Sequence, residues 1–157
     1  MVNFLGSTDM TRFAINFLSR PTDRVPALDA YKAALLNYDE DAWAVSQHGG
    51  ANFSAITDDG VRLSLVLTAE KGKGITLSTT VRGVNGRKRE GFTSVGDAQR
   101  MGEFVKTGDE FYVPAGSFIT PEQAWFAVED FCTNPEVASP RVHWVPTGTL
   151  TFPSPIE

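Results

Sequence analysis

The residues able to act as nucleophiles, general bases or soft metal ligands are few: one cysteine, Cys132, and two histidines, His48 and His143. A structural zinc site of nitrogen and sulfur ligands needs four of them, so this set cannot supply one. A Cys–His nucleophilic pair would need an accessible thiol in an electropositive setting. Cys132 instead follows Phe131 at the end of an apolar helical run, the setting of an inert core thiol. His143 alternates with Val142 and Trp144, as an outward strand position does, and His48 precedes Gly49-Gly50, as a turn residue does. Asp39-Glu40-Asp41 lacks the spacing of a calcium loop and reads more simply as the solvated turn between a helix and a strand. Lys71-Gly72-Lys73-Gly74 joins two alternating segments and opens no helix, so it lacks the context of a phosphate loop. Arg87-Lys88-Arg89 has no interleaved aromatics and reads as a basic loop patch. Asn52-Phe53-Ser54 fits a glycosylation acceptor, which matters only in a secreted chain. These types and spacings assemble no nucleophile–base pair, metal cluster or phosphate cradle. The expectation is a protein that is not an enzyme and uses no cofactor or metal.

The elements that carry these residues follow from hydrophobic period. Residues 7–19 fit an amphipathic helix: Ser7, Thr8 or Asp9 can cap it, and Met10, Phe13, Ala14, Phe17 and Leu18 recur at helical spacing before Arg20-Pro21. A second helix is expected over 26–38, with Leu28, Tyr31, Leu35 and Tyr38 as its buried stripe. The period then changes to two. Trp43 and Val45 predict a strand over about 42–48, and Phe53 and Ala55 predict one over 51–57, closed by Asp58-Asp59-Gly60. Strict alternation of Val61, Leu63, Leu65 and Leu67, then of Ile75, Leu77, Thr79 and Val81, predicts strands over 61–69 and 74–82. Residues 83–108 contain six glycines and predict a long loop, with at most a helical turn near Met101, Phe104 and Val105.

The strongest helix signal lies at 120–132. Thr120 is an N-cap, Pro121 occupies the first helical position, and Gln123 completes a capping box with Ile119 as its staple. Ala124, Ala127, Val128 and Phe131 form one apolar stripe, and Asn134-Pro135 ends the helix. A strand is expected over 141–145, and 147–152 suggests an edge strand before Pro153. The fold class is therefore α+β: an antiparallel meander packed against helices, in a single domain over 1–157.

Composition agrees with a packed domain. At 157 residues with 41% apolar and 11% aromatic content, the chain can bury a core and is not disordered throughout. No apolar run reaches the roughly 20 residues of a membrane span, and the first residues lack a basic n-region and an apolar segment. With a lone cysteine, this makes the cytoplasm the expected compartment. The net charge of −5 argues against nucleic acid as a direct partner. Charge is unevenly spread: residues 1–60 hold four basic and eight acidic side chains, 107–157 one and seven, but 71–106 eight and three. An acidic face of that kind would steer a basic protein partner, and plain surface solvation is the blander alternative.

Four motifs follow one another late in the chain: Val113-Pro114-Ala115-Gly116, Ile119-Thr120-Pro121-Glu122, Ala124 to Phe131 (AWFAVEDF) and Val142-His143-Trp144. In this order, after a small antiparallel sheet, they resemble the first of the immunity-protein families of bacterial polymorphic toxin systems. The connection from Thr133 to Arg141, with Pro135 and Pro140, is longer than that family's usual link. The resemblance implies a cytoplasmic, stoichiometric inhibitor that occludes a toxin domain, often a deaminase or nuclease acting on nucleic acid, without itself binding nucleic acid or membrane. Acidic side chains standing in for phosphates would be its contacts: Asp39, Glu40, Asp41, Asp58, Asp59, Asp109 and Glu110. Trp125 would be an aromatic anchor if exposed; otherwise it is core. The alternative is a non-enzymatic interaction or accessory module, for example a phage-encoded one, with a different partner.

Overall fold

The computed structural model describes residues 11–45, 50–83, 88–108 and 110–153. The alternating segments fold as their period demands: β2 (Gly50–Ile56), β3 (Arg62–Glu70) and β4 (Gly74–Arg82) form an antiparallel meander. Phe53, Ala55, Leu63, Leu65, Leu67, Ile75 and Leu77 all point to one face and are buried. Burying a side chain of that kind contributes about 1.5–3 kcal/mol. The β2–β3 turn is closed by Thr57, whose hydroxyl donates to Asp59 and accepts from the Val61 amide at 3.1 Å. The β3–β4 turn needs left-handed backbone at Gly72 (φ 81°) and Gly74 (φ 112°), where a side chain would be strained.

Three expectations fail on either side of this meander. Arg12–Phe17 is a strand, β1, paired antiparallel with β2, and not part of a helix; residues 7–10 lie outside the described residues. Phe13, Ile15 and Phe17 also alternate with Arg12, Ala14 and Asn16, and the free edge of β2 selects that period over the helical one. Leu18 and Ser19, both at positive φ, end the strand. The strand expected at 42–48 is a short helix, α2 (Glu40–Val45), whose first turn is capped by Asp39: its Oδ1 accepts from the Asp41 amide at 3.0 Å. Residues 46–49 lie outside the description. Finally, the expected loop at 83–108 contains β5 (Lys88–Val95), a 3-10 turn at Ala98–Arg100 and β6 (Phe104–Lys106). Glycine made 88–95 look unlike a strand, but Gly91 is required there. A Cβ on it would stand 2.0 Å from the Thr79 carbonyl oxygen, beside an irregularity in the β4–β5 register.

Further along, β7 (Tyr112–Pro114) pairs with β6, a 3-10 turn covers Ala115–Ser117, and β8 (Phe118–Ile119) returns to β4. α3 (Pro121–Thr133) follows, then β9 (His143–Pro146). The residues at 147–149 form a 3-10 turn, so the edge strand is β9 itself and, among the described residues, no strand follows it. Among the described residues, the main sheet runs β1-β2-β3-β4-β5-β9, with β8 as a seventh strand against β4. The fold is α+β and a single domain.

Helices cover one face of this sheet. α1 (Leu28–Leu36) buries Tyr31 and Leu35, whereas Leu28 is 37% exposed. α3 packs beside α1 and buries Ala124, Trp125, Ala127, Val128 and Phe131. Its predicted capping box is complete: the Thr120 hydroxyl accepts from the Gln123 amide at 3.1 Å, and Gln123 Oε1 accepts from the Thr120 amide at 3.0 Å. Under the helices lies an aromatic cluster. Phe17 meets Tyr31 at 4.7 Å and Trp43 at 5.5 Å between ring centroids, and Phe53 meets Tyr31 at 5.5 Å and Phe131 at 6.2 Å. Most of these contacts are edge-on, which aligns the positive ring edge with a negative ring face.

Strand β4 changes partner halfway along. Its Ser78–Arg82 half pairs with β5, while Ile75 and Thr76 pair with β8. Buried hydroxyls replace the ladder at the change. Ser94 Oγ accepts from the Leu77 amide at 2.9 Å and donates to the Ser117 carbonyl at 2.7 Å; Ser117 Oγ lies 2.7 Å from Thr76 Oγ1 and donates to the Pro114 carbonyl. Ser94 and Ser117 are fully buried, so each of these bonds satisfies a group that water cannot reach.

Candidate interaction surfaces

Strand register separates the sequence-derived acidic contacts into two groups. Asp58 and Asp59 lie in the β2–β3 turn, next to the Arg62 end of β3. Asp39, Glu40, Asp41 and Glu110 lie at the Glu70 end, about 30 Å away along nine strand residues. They do not share one face. Asp109 lies outside the described residues.

At the Glu70 end, carboxylates tie separate elements together. The Gly72 amide donates to Glu40 at 2.9 Å, and Lys71 pairs with Asp41 at 2.8 Å, so α2 is held to the β3–β4 turn. The Asp41 carboxylate raises the Lys71 ammonium pKa above its usual value. The Gly108 amide donates to Glu70, which attaches the 107–111 turn to the same corner. In that turn Glu110 sits at φ 65° with its side chain exposed, 3.9 Å from Lys106. Asp39, Glu40 and Asp41 therefore have structural duties that their sequence run did not disclose.

At the opposite end, cations dominate the face that carries no helix. Cross-strand partners share a sheet face, and the register reads Arg12, Ile56, Arg62, Arg82 across four strands, with the Lys88 backbone paired to Arg82 on the next. Arg12, Arg62 and Arg82 are exposed. The next row on this face is Ala14, Ser54, Ser64 and Thr80. Sequence reading noticed only Arg87-Lys88-Arg89. Arg12 and Arg62 are far from it in sequence, and only pairing brings them beside Lys88. Arg87 is outside the described residues.

The remaining candidates are placed as follows. Trp125 is 5% exposed and belongs to the core, so it is no surface anchor. Burial pushes the Cys132 thiol up to about 12 from its ordinary 9.0, which keeps it protonated at neutral pH. Cys132 lies within electrostatic reach of buried Tyr31, whereas His143 is exposed on β9 opposite Val95, so the two form no pair. His48 is outside the described residues. Among those residues, no group of three or more His, Cys, Asp or Glu stands close enough to hold a metal ion, and no helix is long and apolar enough to cross a membrane.

The connection between α3 and β9 is held by Arg141. Its guanidinium donates to Asp130 at 2.7 and 3.1 Å and to Glu129 at 2.8 Å, and its carbon lies 4.5 Å from the Phe126 ring centre. Trp144 Nε1 donates to the Ser139 carbonyl at 2.9 Å from the other side. A narrow, mostly apolar cleft of about 60 Å³ lies between this connection and the sheet, lined by Leu65, Val81, Phe131, Val137 and Trp144 among others. Its volume suits side-chain packing better than a substrate.

The molecule is thus an α+β domain with ion-paired carboxylates at one end of its sheet and a row of exposed arginines at the other. Comparison of the chain with protein-family models, with curated proteins and with solved structures gives no match.

Proposed function

We propose that this protein is an immunity-type inhibitor that binds a cognate antibacterial toxin domain, one acting on nucleic acid, and blocks it stoichiometrically in the cytoplasm. The supporting observation is the unit from Tyr112 to Pro146. β7, the 3-10 turn, the capped helix α3 and β9 follow a meander in the order that the family resemblance calls for. Gly116 of the first motif fits this reading, since a Cβ there would stand 2.1 Å from the Asp97 carbonyl oxygen. These motif residues are occupied in packing, which leaves the sheet ends for a partner. On this reading the toxin docks at the Glu70 end, where Asp41 and Glu110 are exposed. Carboxylates there would fill phosphate positions on a basic substrate groove and raise the association rate.

The test begins with the neighbouring open reading frames: a secreted protein with a toxin-like C-terminal domain is expected there, and that domain is co-expressed with this chain. A one-to-one complex and rescue of growth are expected. Asp41→Lys with Glu110→Lys should slow association and flatten its salt dependence, whereas Asp58→Lys should leave both unchanged. Failure to form a complex or to rescue would end the immunity reading and favour an accessory interaction module with another partner.

A further inference from the structure

Local rules of sheet stability are broken at one place on the open face. Arg62 and Arg82 are direct cross-strand partners, and like charges in that position repel. Two strands away on the same row stands Arg12, and Lys88 is the next register position beyond Arg82. Among the described residues, Arg12, Arg62 and Arg82 have no ion pair or side-chain hydrogen bond, whereas Arg20, Arg100 and Arg141 each have a carboxylate. A direct like-charge pair at exposed positions costs the sheet stability, and a partner of opposite charge would relieve it.

We infer that the Arg12–Arg62–Arg82 row is a binding site for a short acidic protein segment, a run of Asp or Glu side chains laid across the strands. Three features favour carboxylates on a peptide. Guanidinium forks match carboxylates in two-bond geometry and stay charged at every working pH. The row behind them, Ser54, Ser64 and Thr80, presents half-buried hydroxyls that can serve a peptide's remaining acceptors. Neither the arginine row nor the row behind it has an aromatic side chain on which a base could stack; the exposed aromatics of this face, Phe111 and Phe152, lie farther along it. The extent of the row also matters. A nucleic acid would run past it over a molecule of net charge −5 and beside Asp58 and Asp59, whereas a short acidic segment can touch the arginine row alone. This inference does not depend on the immunity reading, whose contacts lie at the other end of the sheet.

The experiment uses the full chain, a fluorescein-labelled oligoglutamate peptide and an oligothymidylate of similar length, read by fluorescence anisotropy. Oligoglutamate should bind saturably and weaken as salt rises from about 50 mM to about 200 mM. The Arg62→Ala/Arg82→Ala variant should bind roughly tenfold more weakly, and Arg12→Ala should add to the loss. Because both arginines are exposed and repel each other, the double variant should keep its circular dichroism spectrum and an equal or higher urea midpoint. The inference is overturned if oligoglutamate shows no saturable binding, or if the double variant binds it as well as the parent. It is equally overturned if oligothymidylate binds more tightly than the peptide, which would make the row a nucleic-acid contact.

Discussion

At the residue scale, Asp130 shows how a surface-looking side chain becomes part of the fold. Burial by itself would raise its pKa, but hydrogen bonds from Arg141 and Ser139 outweigh that and hold the carboxyl below its ordinary 3.8. A carboxyl depressed in the folded state adds stability that is fully present above the unfolded value and is lost as pH falls through the folded one. The melting temperature of Asp130→Asn should therefore lie below that of the parent above about pH 4, and the gap should close as the pH is lowered further. Melting curves of both proteins across that range are the check; a gap independent of pH would mean that Asp130 contributes through shape alone. Nothing in the sequence announced this pairing, because Asp130 and Arg141 are separated by a proline-containing turn of irregular length. Thr120 and Gln123 are the contrary case. Their bond is local, and sequence spacing was enough to read it.

At the element scale, the decisive feature is the change of partner along β4. Four groups, the Thr76 hydroxyl and Leu77 amide on β4, the Pro114 carbonyl on β7 and the Ser117 carbonyl in the following turn, are satisfied through the hydroxyls of Ser94 and Ser117. Ser94→Ala keeps the volume nearly unchanged but strands the Leu77 amide and the Ser117 carbonyl away from water. It should cost about 1–3 kcal/mol in urea denaturation, more than removal of an exposed serine. A cost near zero would show that β5 and β8 hold β4 without these hydroxyls. The same region explains the misread loop. Lys88–Val95 contains a glycine, Gly91, and Val95 as its one aliphatic residue, so its strand character is conferred by β4 and β9 on its two sides and not by propensity. The N-terminal segment is the mirror image: 12–17 satisfies both periods, and an open sheet edge decided between them.

At the scale of the whole molecule, the aromatic cluster joins β1, α1, α2, β2 and α3 in one core, so unfolding should be cooperative. Phe53→Ala should remove about 3–5 kcal/mol, with a lower urea midpoint and an unchanged slope; a biphasic transition would show that the sheet and helices unfold separately. The amino-acid sequence by itself determined the meander, the second helix, the capped helix α3 and the fold class. Those features rest on local period, caps and turns, which act between residues close in the chain. Only the tertiary structure decided that 12–17 and 88–95 are strands and that 40–45 is helical. It also placed Trp125 in the core, tied Glu40 and Asp41 to the β3–β4 turn, and set Arg12, Arg62 and Arg82 in one row. Each of those outcomes depends on which distant segment lies alongside, through strand register, edge pairing and burial.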